Sequence, residues 1–161
     1  MARAFAAPAV IGSANPQNAV YGCSFRTCWD RNKAGMFTEA HGAGRTLPQE
    51  IEYFTAGVLN VLKHMGMLAG APDTHRITHD LRGDEQGGGN FFAGVAGYFK
   101  PAVRMLDQVT IGQRLGAVLD FDGSVLEEYI SGRDGFVTNL RGVPRTNVGD
   151  HLIGITGGVK V

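Results

Sequence analysis

Gly97-Tyr98-Phe99 leads to Ile111-Gly112-Gln113-Arg114-Leu115, and Gly135-Phe136-Val137 leads to Val148-Gly149-Asp150-His151-Leu152. The first glycine stands 15 residues before the glycine of the pentapeptide in one copy (Gly97 to Gly112) and 14 in the other (Gly135 to Gly149), so a unit is repeated and not one short motif. Two copies are too few for a solenoid, which needs about three or more. The expected product is a compact β unit whose halves are related by a pseudo-twofold, each burying the apolar face of the other.

The runs between these landmarks agree with strands. Residues 115–121 and 125–130 are rich in Val, Leu and Phe and are separated by Asp122-Gly123, a strong local hairpin signal. Arg133-Asp134-Gly135, Gly142 and Gly149 punctuate the rest in the same way, so the C-terminal half reads as all β. Residues 69–89 are polar and end in Gly87-Gly88-Gly89, the composition of a linker or exposed loop. The glycine run lacks the lysine and the serine or threonine of a phosphate loop.

The first half carries one convincing helix. Thr46 can cap it with Gln49 three residues on, and Pro48 sits in the first turn, where its missing N–H costs nothing. Ile51, Phe54, Val58, Leu62 and Met65 then share one face, and Gly66 is placed to end the helix. His64 falls in the last turn, where it faces the negative end of the helix dipole. Residues 5–11 and 35–39 read as short strands, the second ending in the carboxylate of Glu39. The expected class is α+β, with residues 1–70 and 90–158 as two pieces joined by a linker at 71–89.

Composition narrows the function. The 161 residues hold 15 Lys plus Arg against 15 Asp plus Glu, so there is no basic field for nucleic acid or an anionic membrane. No run approaches the roughly 18 apolar residues of a membrane helix, and Pro8 breaks the short apolar N-terminus. Cys23 and Cys28 are too few for a disulfide framework and read as reduced thiols, which favours a cytoplasmic protein.

The duplicated pattern resembles the barrel-sandwich shape of biotinyl and lipoyl carrier domains. Carriers need a lysine at the tip of the hairpin joining the halves. Here the tip reads Asp120-Phe121-Asp122-Gly123-Ser124, and no lysine lies between Lys100 and Lys160. The carrier function therefore loses the atom it depends on.

A second resemblance spans nearly the whole chain. Phe37-Thr38-Glu39, a glycine-containing loop at 42–44 and the run at 56–68 are followed by Gly97-Tyr98-Phe99-Lys100-Pro101, by Val109 to Gly116, by Arg133-Asp134-Gly135-Phe136-Val137 and by the closing pentapeptide. In this order they resemble the C-terminal portion of the succinylglutamate desuccinylase and aspartoacylase family, most of all the branch that includes deacetylases of ectoine breakdown. The resemblance implies a carboxypeptidase-like α/β segment followed by a barrel-sandwich β domain. It implies a zinc-dependent hydrolase that removes the acyl group from a small-molecule N-acyl amino acid. In that chemistry zinc activates a water and a carboxylate moves its proton. Glu39 takes the place of that carboxylate; read from its residue type alone, it is a strand-end glutamate.

The sequence also departs from the family. Ala40-His41 replaces the small apolar residue and glycine usual after the glutamate, and the family's metal-binding H-x-x-E is absent. His75 and His79, with Asp73 and Asp80 nearby, lie in the polar stretch and match no family ligand. Arg45 stands near a helix start, where it can fix a substrate carboxylate or face solvent, and Tyr98 and Tyr129 face a site or fill strand positions. The expectation is thus a portion whose zinc ligands lie in a missing N-terminal half, inactive alone, and self-associating through apolar faces as a homo-oligomer. The competing class is a non-catalytic β module for oligomerisation or substrate gating of a separate catalytic chain.

Overall fold

The computed structural model describes residues 1–13, 24–39, 47–83 and 89–161. The chain is α+β, with few helices and mixed sheets, and divides into two compact units: Met1–Asp80 with Val159–Val161, and Leu81–Gly158.

In the first unit a short helix α1 (Ala2–Phe5) precedes strand β1 (Ala9–Ser13), so residues 5–11, expected as one strand, are helix, turn and strand in succession. The cause is Ala6, whose left-handed backbone (φ 62°) ends α1 and turns the chain. Helix α2 (Ser24–Asp30) follows, and then residues 33–39, which form neither helix nor strand. Residues 35–39 were expected as a strand; among the described residues no strand partner reaches them.

Helix α3 (Pro48–His64) is the long helix foreseen, with Pro48 in its first turn and Leu47 at its N-cap. The expected cap, Thr46, lies outside the described residues. The C-terminus follows the predicted route: Gly66 takes φ 72°, its N–H donates to the Lys63 carbonyl (3.0 Å), and the Met67 N–H donates to that of Leu62 (2.9 Å). These two bonds satisfy carbonyls that the last helical turn leaves open. The predicted stripe packs only in part, with Phe54 and Leu62 half-buried. Gly57 and Asn60 are buried, while Ile51, Val58 and Met65 are more than half exposed. Gly57 is small enough to admit the Phe5 ring, which a Cβ would meet at 2.5 Å, and Phe5 packs edge-on against Tyr53 and Phe54.

Asn60 closes the loop after the helix. Its amide donates to the Asp73 carbonyl (2.7 Å) and accepts from the Asp73 N–H (3.0 Å). Strand β2 (His79–Gly83) then forms inside the stretch read as a linker; its start is held by the Pro8 carbonyl, which accepts from the Thr78 and His79 N–H groups. Strand β1 ends its sheet next to β2.

The second unit turns the repeat into symmetry. Its strands are β3 (Asn90–Phe92), β4 (Gly97–Pro101), β5 (Gln108–Val109), β6 (Arg114–Leu119), β7 (Val125–Ile130), β8 (Gly135–Leu140), β9 (Arg145–Thr146) and β10 (His151–Lys160). One sheet runs β7-β6-β4-β9, and the other contains β3, β10, β8 and β5 in the equivalent order. Strand β4 of the first copy pairs with β9 of the second, and β8 of the second pairs with β5 of the first. Each copy thus completes the sheet of the other. Leu115 and Leu152, the last residues of the two pentapeptides, are both fully buried, in a core shared with Phe99, Val118, Val137 and Ile155.

The glycines sit where the backbone requires them. Gly112 and Gly149 have φ of 83° and 85°, each the third residue of a turn closed by a bond from Gln113 N–H to Thr110 (3.0 Å) or from Asp150 N–H to Asn147 (3.1 Å). A turn with positive φ there is one that glycine adopts without strain. In both copies the fourth residue also reaches back, Gln113 to the Thr110 N–H (3.2 Å) and Asp150 to the Asn147 N–H (2.8 Å).

Candidate functional site

Glu39 is exposed and follows residues 35–38, which line an open cleft of about 480 Å³ whose far wall is β1. Phe37 is 61% exposed and Ile11, on the opposite wall, 51%. Trp29 and Lys33, from the end of α2 and just beyond it, complete the lining. Residues 36–38 also line a second cleft of about 370 Å³, together with Phe54, Val58 and Leu62 of α3.

The other polar candidates do not gather around Glu39 into a metal centre. Among the described residues no three His, Cys, Asp or Glu side chains come together in a way that could hold a metal ion, so zinc does not fit the described part of the chain. His75 is exposed, and its Nδ1 lies 2.5 Å from Asp73 Oδ1, a hydrogen bond that holds the Asp73 carboxyl below the usual carboxylate range. His79 is buried, its Nδ1 on the Thr78 hydroxyl at 2.8 Å, while Asp80 pairs with Arg3. His64 closes α3, as its place in the last turn suggested. Cys28 is a free thiol. Ala40, His41, the 42–44 loop, Arg45, Cys23, Gly87 and Gly88 lie outside the described residues.

The carrier-type hairpin tip is a rigid turn. The Asp120 N–H donates to the Ser124 carbonyl (2.8 Å), Gly123 has φ 88°, and Asp122 accepts from the Ser124 N–H (2.9 Å); the Ser124 side chain first, and then this N–H, lower the Asp122 pKa. Phe121, at its apex, is 89% exposed.

One polar cluster was not anticipated. Glu127 on β7 accepts from the Tyr129 hydroxyl (2.5 Å) and from the Gly94 N–H (2.9 Å), tying the turn after β3 to the edge of the other sheet. Burial, followed by the bond to Glu127, pushes the Tyr129 hydroxyl up from its ordinary value. The sequence did hold a signal: Glu127 and Tyr129 are two apart on a strand and therefore share a face. Its partner, Gly94, lies 33 residues away, and nothing local announces it. Of the two tyrosines, Tyr129 is core and Tyr98 is half exposed.

Strands duplicated into two interlocked sheets form one unit, and helices with the exposed Glu39 next in the chain to cleft-lining residues belong to the other, which defines a two-unit α+β protein. No protein-family profile and no curated protein sequence matches the chain. Solved structures do. The succinylglutamate desuccinylase/aspartoacylase of Rhodobacter sphaeroides is 26% identical over 97% of this chain and 47% of its own, with a TM-score of 0.79. The apo ectoine utilization protein of Ruegeria pomeroyi is 22% identical over 96% and 48%, with a TM-score of 0.84. A succinylglutamate desuccinylase from Silicibacter is 22% identical over 98% and 47%, with a TM-score of 0.80. The chain resembles a portion of the succinylglutamate desuccinylase/aspartoacylase family, consistent with the C-terminal one, and spans about half the length of the structures it matches. No helix among the described residues is long and apolar enough to cross a membrane.

Proposed function

We propose that the chain is the C-terminal portion of a zinc-dependent hydrolase that removes an acyl group from the nitrogen of an amino acid. The observation that carries this is the match to the Rhodobacter sphaeroides desuccinylase/aspartoacylase over 97% of the chain. On this reading the first unit is part of a carboxypeptidase-like α/β domain, and the second a barrel-sandwich domain. The metal is held by residues beyond those described.

Glu39 is the residue of this chain assigned to the chemistry. Its carboxylate accepts a proton from the attacking water and returns it to the departing nitrogen. The acyl carbon gains the water's oxygen, the C–N bond breaks, and a carboxylic acid and a free amine leave. A general base of this kind contributes about 10² to 10⁴ in rate. Glu39 is exposed, and Thr38, its neighbour in the chain, lines the cleft, which supports access of water and substrate.

The test is release of free amino groups from N-acetylated and N-succinylated amino acids. The substrates are offered to the chain alone and to the chain mixed with the half of the Rhodobacter sphaeroides protein that it does not match, with zinc present. Turnover by the mixture and none by the chain alone is expected. Stoichiometric zinc together with full turnover in the chain alone would contradict this division of labour, and no turnover in either would remove the deacylase reading.

A further inference from the structure

The repeat builds two equivalent outer sheet faces, and the chain covers only one of them. Strand pairing places Arg145, Tyr98, Leu119 and Val125 side by side across β9, β4, β6 and β7, a row about 14 Å long at the spacing of neighbouring strands. Their chain neighbours Thr146, Phe99 and Val118 are buried, so the row lies on the outside of the sheet. In the other sheet the same positions hold Gln108, Phe136 and Thr156. Phe136 is 4% exposed without belonging to the core between the sheets, so it is covered within the chain. Tyr98, its counterpart, is 46% exposed, and Val125 is 53% exposed.

The two ends of the uncovered row differ in charge. Arg145 closes the β9 end, and Lys100 lies two residues from Tyr98 on the same face of β4. At the other end the hairpin leaves β6 just after Leu119 and returns just before Val125; it carries Asp120 and Asp122, with the exposed ring of Phe121 between them. Both carboxylates accept from backbone N–H groups of the turn. Among the described residues none of these four charged side chains is in a salt bridge.

We propose that two copies of this chain associate face to face through this row about a twofold axis, which lays Arg145 and Lys100 of each copy over the hairpin tip of the other. A twofold contact requires a surface complementary to itself. A row with cations at one end, carboxylates at the other and Tyr98 and Leu119 in the middle meets that requirement, because a twofold through its centre reverses the row. The ion pairs lie at the rim and set the register, while burial of Tyr98, Val125 and Phe121 supplies most of the affinity. The face belongs wholly to the second unit, and its pairing is independent of the deacylase reading.

The experiment is sedimentation equilibrium of the full chain over a wide range of concentration, where a monomer–dimer equilibrium is expected. Tyr98→Asp should raise the dimer dissociation constant by about tenfold or more. Arg145→Asp and Asp122→Arg should each dissociate the dimer, since either change alone sets like charges against each other. An equimolar mixture of these two variants should dimerise again, because in the mixed pair both ends are once more opposite in charge. Phe37→Asp, in the other unit, should leave association unchanged, and a thermal melt of each variant checks that it is folded. A parent chain that stays monomeric overturns the proposal, as does association that Phe37→Asp removes and Tyr98→Asp leaves intact. A mixture of folded Arg145→Asp and Asp122→Arg chains that stays monomeric overturns it as well.

Discussion

Tyr129 shows how much one hydroxyl can fix. It is 5% exposed, and its proton is held on Glu127, which also binds the Gly94 N–H, so one carboxylate joins β7 to the turn after β3. The raised pKa of Tyr129 has a definite consequence for stability. A tyrosine favoured as the neutral form in the folded state contributes fully below its ordinary value of 10.0, and the contribution falls as pH rises above it. Thermal melts should therefore lose stability above about pH 10, and Tyr129→Phe should flatten that slope while costing about 1 kcal/mol at neutral pH. A melt as steep in Tyr129→Phe as in the parent would show that other groups carry the alkaline loss. Asn60 has a comparable part in the first unit, gripping both backbone groups of Asp73. Asn60→Ala should cost about 1 kcal/mol in denaturant unfolding, with faster amide exchange confined to residues 71–78; global loosening would contradict so local a role.

The repeat is the element on which the sequence speaks most clearly. Gly112 and Gly149 hold nearly equal positive φ values, and a Cβ at either would meet nothing within 4 Å. The cost of Ala at each is therefore backbone strain alone, about 1 kcal/mol. Gly112→Ala and Gly149→Ala should lower the unfolding free energy by similar amounts, whereas Gly142→Ala, in open space without a positive φ, should be nearly neutral. Unequal costs would show that the two turns are not equivalent. The β unit was legible because strands, turns and buried leucines recur at a fixed spacing, and the Asp122-Gly123 hairpin lies where its residues put it. Helix α3 was legible for the same local reasons, through Pro48 and Gly66. Residues 35–39 were not, because a strand needs a partner as well as a composition, and β1 lies across a cleft from them. The predicted stripe of α3 was legible only in part: the pattern marks a face able to be buried, and Phe54 packs on Phe5 while Val58 and Ile51 stay exposed.

At the scale of the whole molecule, the proposed function rests on what the two units would bring to a deacylase. The order of motifs pointed to the desuccinylase/aspartoacylase fold, and the solved structures match it along almost the full chain and about half of their own length. Of the proposed site, Glu39 alone was read from the sequence. The rest of the family's chemistry was sought in an H-x-x-E that the sequence lacks, and of the candidate histidines His75 bonds to Asp73 and His79 to Thr78. The most direct measurement is the rate of N-acyl amino acid hydrolysis by the chain combined with its complementary half, with Glu39 intact and as Glu39→Gln. The account predicts that Glu39→Gln lowers kcat by about 10² or more, with KM little changed and the two halves still bound. Equal kcat in the two proteins would contradict it.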